Sequence, residues 1–392
     1  MHKNRNLLII ALIALVNALG YGIIIPILYS YSLKFGLNDF ENGLLFSVFS
    51  IFQFLATPII GRLSDKYGRK PLLLISLIGT ATSFFMAAFA PSALFLFIAR
   101  ALDGITAGNI PVASAVISDT TKPEERTKGF GILWGAFGFG FVFGPAISAL
   151  TVSINPSLPF IIAGLVSIGA VLVTAFLLPE TNKHLGEVKK SPFFNFSKLL
   201  HAFIDENVGM TFLITLLSSL AFSLFIFAYQ PFSVKILHLS ANQISLQFTL
   251  FGIVGLITQI LLLSRFTKKF GLKPTFIGTF FLMSIAFILM FVVRNALLFA
   301  FVSIFLGLSN ALANPLTQTI LSQEVDEKSQ GSIMGLNASY MSIGQIFGPI
   351  LGGILAIFYL PSPFLASAVF ALACFFLAFH VLKRGVKKES VF

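Results

Sequence analysis

Apolar runs of span length, repeated along almost the whole chain, leave it few ways to fold. Crossing ~30 Å of hydrocarbon takes about 20 apolar residues in a helix, and twelve runs of that order occur, at about 7–28, 43–61, 72–90, 93–118, 131–153, 160–178, 209–230, 244–263, 275–293, 297–320, 332–358 and 364–382. A backbone in lipid must satisfy its own hydrogen bonds, so these runs are predicted to be helices. The expected fold class is all-α integral membrane with twelve transmembrane helices. The run from Leu7 exceeds a signal-peptide core and carries no small-residue cleavage site, so it reads as the first span. Only 10% of the residues are charged, too few to cover a soluble domain of 392 residues. The 47 phenylalanines read accordingly as lipid-facing and inter-helix packing.

The charge distribution sets orientation. A net charge of +11 would suggest nucleic acid in a soluble protein. Here 22 of the 26 Lys and Arg fall on one side of the predicted spans, the exceptions being Lys34, Arg100, Lys235 and Arg294. That asymmetry predicts both termini in the cytoplasm and a multi-pass protein of the cell (inner) membrane. The single cysteine, Cys374, excludes an intramolecular disulfide. The five histidines lack ligand spacing, so neither a metal nor a cofactor is expected. No nucleophile–base pair stands in the sequence, so an enzyme is not expected. The partners expected are a small-molecule substrate, protons and the bilayer, with no nucleic acid and a monomeric chain.

The chain repeats itself. Gly131, Gly140, Gly144 and Pro145 recur as Gly335, Gly344, Gly348 and Pro349 at an offset of 204 residues. Arg62, Gly68, Lys70 and Pro71 recur as Arg265, Gly271, Lys273 and Pro274 at an offset of 203, and Pro26 recurs as Pro231 at 205. Two pseudo-symmetric six-helix bundles follow, 1–180 and 208–392, with a cytoplasmic linker over 181–207 and an interfacial helix near Phe194–Phe203. A site is expected near the membrane midplane between the halves. The halves differ in charge, because the second loop, SRFTKKFGLKP, has no Asp and the tenth span has no carboxylate.

The polar residues inside the spans are the candidates for chemistry. Arg100 and Asp103 are three residues apart and share a helical face, close enough to pair. A carboxylate near the bilayer centre costs about 2.5–3.5 kcal/mol on insertion scales, so it is expected to be paired and functional, the other reading being a static brace. Asn17 and Gln53 read either as substrate contacts or as inter-helix hydrogen bonds. Tyr21, Asn109, Tyr229, Gln230, Asn310, Asn314, Asn337 and Tyr340 are further cavity candidates, each with packing as its alternative. On a continuous helix Asn109 lies about 120° from Asp103, so both cannot face one cavity squarely. Pro26 is expected to kink the first span. Gly61 to Lys70 reads as a tight cytoplasmic loop in which Gly61 and Gly68 allow close packing and a sharp turn. Gly131, Gly140, Gly144, Gly344 and Gly348 are expected to let helices approach closely beside Pro145 and Pro349.

These motifs together resemble the major facilitator superfamily, and within it the twelve-helix drug:proton antiporter branch with its tetracycline-exporter-like members. Gly61–Lys70 matches that family's loop signature, Arg100–Gly108 its fourth-helix motif, and Gly131–Pro145 its fifth-helix antiporter motif. The closing glycine pair of that motif is Ser148-Ala149 here. The resemblance implies that Arg100 and Asp103 serve proton coupling. It also implies a conformational latch of Gly61, Asp65, Gly68, Arg69 and Asp119, with Asp65 at the cytoplasmic start of the eleventh helix and Arg69 paired with Asp119. Tetracycline exporters carry Asp where this chain has Asn17, which speaks against tetracycline itself as substrate. The function implied is proton-coupled export of amphipathic or cationic small molecules by alternating access. The alternative is a metabolite, sugar or siderophore importer or facilitator on the same scaffold, separable by uptake against efflux of labelled solute in vesicles. A membrane receptor or scaffold without transport is a third reading, and it would have a solvent-free centre between the halves.

Overall fold

The computed structural model describes residues 2–121, 123–182, 203, 205, 208–325 and 330–381, and every regular element among them is helical. The elements are α1 (His2–Ile24), α2 (Leu28–Ser32), α3 (Asp39–Tyr67), α4 (Arg69–Ala88), α5 (Ala93–Ala107), α6 (Ile110–Thr120), α7 (Pro123–Thr151) and α8 (Leu158–Leu177). They continue as α9 (Gly209–Lys235), α10 (Ala241–Ile257), α11 (Leu263–Phe270), α12 (Leu272–Val292), α13 (Ala296–Glu324), α14 (Gln330–Phe358) and α15 (Ser362–Ala378). Eleven continuous or near-continuous helical segments are long and apolar enough to cross a membrane, and α15 is a shorter apolar helix of 17 residues. At 1.5 Å per residue α15 still reaches about 25 Å, close to the hydrocarbon thickness. The interfacial helix expected near Phe194–Phe203 falls almost wholly outside the described residues.

Three predicted spans are not simple rods. The first helix ends at Ile24, and residues 25–27 form a turn around Pro26 before α2, so the proline breaks the helix rather than bending it. Its repeat partner Pro231 sits inside unbroken α9. The fourth span divides into α5 and α6 at Gly108-Asn109, where Pro111 in the first turn of α6 suits a helix start. The eighth span carries a π-turn over Thr258–Leu262 between α10 and α11.

Contacts gather the chain into two units. One comprises Met1–Asn38, Val48–Phe194 and Ser240–Thr249; the other comprises Asp39–Ser47, Asn195–Leu239 and Leu250–Phe392. In the first, α1 packs along α7, and α4 packs on α8 and α5. In the second, α9 packs along α14, and α12 packs on α15 and α13. The two arrangements follow the sequence repeat helix for helix. The first turns of α3 belong to the second unit, where Lys235 Nζ pairs with Asp39 at 2.8 Å and the Ser47 hydroxyl donates to the Ile346 carbonyl at 2.7 Å. The start of α10 belongs to the first unit, where the Asn242 amide donates to the Ala149 carbonyl.

The glycine motif acts at its inner positions. A Cβ added at Gly140 would meet Ala18, and one at Gly144 would meet the backbone of Gly22 and Ile23. In the second unit Gly344 and Gly348 abut Ser219 and Ser223 of α9 in the same way, and Gly352 abuts Phe227. The Ser148 hydroxyl donates to the Ile23 carbonyl at 2.9 Å, using the small position after Pro145 as a polar tie. Gly131 departs from expectation: nothing lies within 4 Å of an added Cβ, and the same holds at its repeat partner Gly335, so the close approach does not extend to that end of either helix.

Candidate functional site

Arg100 and Asp103 are the charged side chains that are buried among the described residues, at 3% and 7% exposure. Arg100 Nη1 donates to Asp103 Oδ2 at 2.6 Å across one turn of α5, as the i, i+3 spacing predicts. The guanidinium lies over the Phe49 ring at 4.4 Å, which gives the cation a π face in place of water. Its Nε has no partner. Gly104 lets the α3 backbone at Phe49 approach α5, and that approach brings the ring onto the arginine. Tyr21 of α1 continues the aromatic wall, with ring centroids 5.8 Å from Phe49 and 5.6 Å from Phe141.

The remaining candidates divide by their contacts. Asn17 Nδ2 donates to Asn109 Oδ1 at 2.8 Å, and Asn109 Nδ2 is buried without a partner. The angle between Asn109 and Asp103 expected on a continuous helix does not apply, because the helix is interrupted at Gly108-Asn109. Gln53 Nε2 donates to the Ala107 carbonyl at 3.4 Å, beside the same break. In the second unit the Tyr229 hydroxyl meets Ser303 Oγ at 3.1 Å among the rings of Phe225 and Phe299. Gln230 is fully buried. Thr215 Oγ1 donates to Asn337 Oδ1 at 2.7 Å, and Tyr340 stacks on Phe212 at 4.9 Å. Those contacts tie Tyr229, Asn337 and Tyr340 to neighbouring side chains within the second unit. Asn310 is half-buried and Asn314 exposed, so both keep polar capacity for a ligand.

The loop expected between Gly61 and Lys70 is almost entirely helical. Helix α3 runs to Tyr67, α4 starts at Arg69, and Gly68 alone joins them at φ 105° and ψ 158°. Gly61 therefore lies inside α3, where a Cβ would only graze Pro111, and is not a turn glycine. Arg69 organises the surroundings. Its Nη1 reaches Asp65 Oδ1 at 2.6 Å and Ser64 Oγ at 2.7 Å, and its Nε reaches Asp119 Oδ2 on α6 at 3.2 Å. The expected Arg69–Asp119 pair is present. The expected partner of Asp65 is the start of the eleventh span, whose side chains at 326–332 lie outside the described residues.

Sequence reading missed several contributors. Phe49 and Ser64 carried no signal beyond their residue type. Glu180, Thr181 and Asn182 all touch the Arg69 cluster. Glu324 accepts from Thr211 at 2.8 Å and stands 205 residues after Asp119, an offset within the repeat's own range that could have revealed it.

Eleven span-length apolar helices in two repeated units, with a buried ion pair in one of them, define a polytopic membrane protein. Residues 10–208 and 211–392 match the Major Facilitator Superfamily, and the chain belongs to that family. It is 32% identical over 360 residues to Multidrug resistance protein 1 of Bacillus subtilis (strain 168), covering 90% of each chain. It is 30% identical over 369 residues to the class B tetracycline resistance protein of Escherichia coli, covering 89% of this chain and 88% of that one. A solved bacterial homolog of the human lysosomal transporter Spinster, inward-facing and occupied, shares the fold at a TM-score of 0.80 and 15% identity over 98% of each chain.

Proposed function

We propose that the protein is a proton-coupled secondary active exporter of amphipathic or cationic small molecules. The buried Arg100–Asp103 pair carries this reading. Two charges removed from water cost several kcal/mol each, and replacing such a pair with apolar residues is often neutral or stabilising, so a fold gains little by keeping it as a brace. An intramembrane ion pair with an orphaned Nε and an aromatic wall of Phe49, Tyr21 and Phe141 is suited to exchange partners. Asp103 carries the proton, ionised while Arg100 holds it and neutral once substrate or a helix shift draws Arg100 away. Similarity to multidrug and tetracycline resistance proteins supports the export direction and the drug-like substrate class. Asn17 and Asn109, with Asn310 and Asn314, supply polar contacts in the carrier. Alternating access moves 1–180 against 208–392, with both termini cytoplasmic and the chain monomeric. The Arg69–Asp65–Asp119 cluster serves as the latch of one end state.

The test is Asp103→Asn, which keeps size but cannot release a proton. The probe is a lipophilic cation, ethidium, in vesicles with an imposed pH gradient. Folded variant protein is expected to retain counterflow and lose uphill accumulation. Uphill transport at the wild-type rate would reduce Asp103 to a brace.

A further inference from the structure

Glu180 lies just past α8 and is exposed, yet both of its carboxylate oxygens are engaged. Oε1 accepts from the backbone N–H of Arg69 at 2.9 Å, of Thr181 at 2.9 Å and of Asn182 at 2.8 Å. Oε2 accepts from the Lys70 N–H at 3.1 Å. Arg69 and Lys70 open α4, where the N–H groups have no intrahelical partner and the helix dipole favours an anion. Gly68, at the N-cap position, has no side chain to supply a cap, and a Cβ there would collide with Oε2. The carboxylate of Glu180, more than a hundred residues away in sequence, does the work of that missing cap.

Its two successors hold the other parts of the cluster. Thr181 Oγ1 donates to Asp119 Oδ2 at 3.4 Å, the same oxygen that Arg69 Nε holds. Asn182 Nδ2 donates to the carbonyls of Asp65 at 2.9 Å and Ser64 at 3.4 Å, in the last turn of α3. Three consecutive residues thus grip the start of α4, the end of α3 and the acidic partner on α6. Arg69 joins the same three elements.

We propose that Glu180, with Thr181 and Asn182, is the positioning element of the latch, setting the first turn of α4 so that Arg69 reaches Asp65 and Asp119 together. The inference rests on the latch reading of the Arg69 cluster. A merely structural cap would protect α4 and nothing more. A positioning residue also governs α6, through Arg69 and Asp119, and the rate at which the carrier changes state.

The experiment compares Glu180→Gln, Asn182→Ala and Asp119→Asn in full-length protein, by hydrogen exchange and by ethidium transport in vesicles. In Glu180→Gln one oxygen becomes an amide that faces an N–H donor, so the start of α4 loses part of its cap. Exchange is expected to rise about tenfold at the start of α4 and also over residues 110–120 of α6, the loss of one charge-assisted hydrogen bond. Ethidium turnover per folded molecule falls, with KM changed less than about twofold, because the effect is on the conformational step. Combining Glu180→Gln with Asp119→Asn adds no further loss beyond Asp119→Asn alone. Faster exchange confined to α4, or losses that multiply in the double variant, would overturn the proposal. Should Glu180→Gln fold poorly, Asn182→Ala removes only the grip on α3 and is expected to show the same pattern more weakly; wild-type exchange in α6 for that variant would count equally against it. The two readings fail separately. Unchanged turnover in Asp119→Asn removes the latch itself, whereas reduced turnover there beside normal Glu180→Gln removes only the role of Glu180.

Discussion

The short junction after the second span occurs twice, once in each half, and the two copies share a backbone but not a chemistry. Gly68 joins α3 to α4 at φ 105° and ψ 158°, and Gly271 joins α11 to α12 at φ 87° and ψ 161°. Both lie where side-chain-bearing residues are rarely found, so glycine is needed for the shape in either copy. Around that shape the charges differ. Asp65 corresponds to Lys268, Arg69 to Leu272, and Asp119 to Glu324. The first copy builds a network of Arg69 with Asp65, Ser64 and Asp119, and Glu180 caps its second helix. In the second, Glu324 takes the Thr211 hydroxyl, while Lys273 Nζ reaches the Val381 carbonyl at 2.6 Å. A carboxylate on the first N–H groups of α4 in one half is answered by an ammonium on the Val381 carbonyl in the other. The common backbone is what the sharp turn requires, and the Arg69 network is built on it in the first copy.

The feature common to both halves carries the largest expected effect. Gly144→Leu and Gly348→Leu each force a branched side chain into α1 or α9, where even a Cβ has no room. Both are expected to abolish transport or folded protein, measured by yield of monodisperse protein and by vesicle efflux. Gly131→Ala and Gly335→Ala enter open space and should be silent. A fully active Gly348→Leu protein would break the close-packing account of the repeat.

The network's own asymmetry is next. Asp65→Asn removes one anion from Arg69, whereas Lys268→Gln alters an exposed side chain at the matching place. We expect turnover to fall roughly tenfold in the first, the size of one charged hydrogen bond, and to hold in the second. The resting population of Asp65→Asn should move toward inward-open, read by cysteine accessibility from each membrane face in a Cys374→Ser background. Cys374 is buried, and its Sγ lies 3.6 Å from the Ile214 carbonyl, so that background should cost little. Unchanged accessibility with lost substrate binding would move Asp65 from the latch to the substrate.

What the sequence could show divides along similar lines. The repeat was legible because close helix packing tolerates only small residues, and Gly140, Gly144, Gly344 and Gly348 recur at fixed spacing. The Arg100–Asp103 pair was legible because helical geometry alone brings i and i+3 together. The junction was misread as a ten-residue loop because charge was taken as the end of the helix, whereas α3 continues to Tyr67. The break at Gly108-Asn109 had its signal in the Pro two residues on, but apolar flanks concealed it. Glu180 left no periodic trace at all. Its partners are backbone N–H groups, which every sequence possesses, and only the folded chain shows which of them are free.

A smaller effect tests the shared backbone directly. Gly68→Ala and Gly271→Ala both place a Cβ at positive φ and should each cost about 1 kcal/mol or more. Gly68→Ala should cost more, because its Cβ also displaces Glu180, whereas the nearest atom at Gly271 is Pro274 Cδ at 3.6 Å. Thermal unfolding in detergent checks the order. Equal losses would mean that the Glu180 carboxylate adjusts freely and caps α4 only weakly.

The smallest expected change is Lys273→Met. The substitution keeps an apolar stem of similar length and removes only the ammonium that reaches the Val381 carbonyl. That contact is partly exposed, so water can replace much of it, and a loss of about 1 kcal/mol or less is expected. A slightly lower melting temperature with ethidium transport per folded molecule unchanged is the predicted result, because among the described residues Lys273 joins no ion pair, unlike Arg69. Set beside Glu180→Gln, it asks whether the two contacts are equivalent braces or whether one also positions a moving part. If Lys273→Met lowers turnover as far as Glu180→Gln does, with KM equally unmoved, the second junction works as a latch too and the functional asymmetry between the halves disappears.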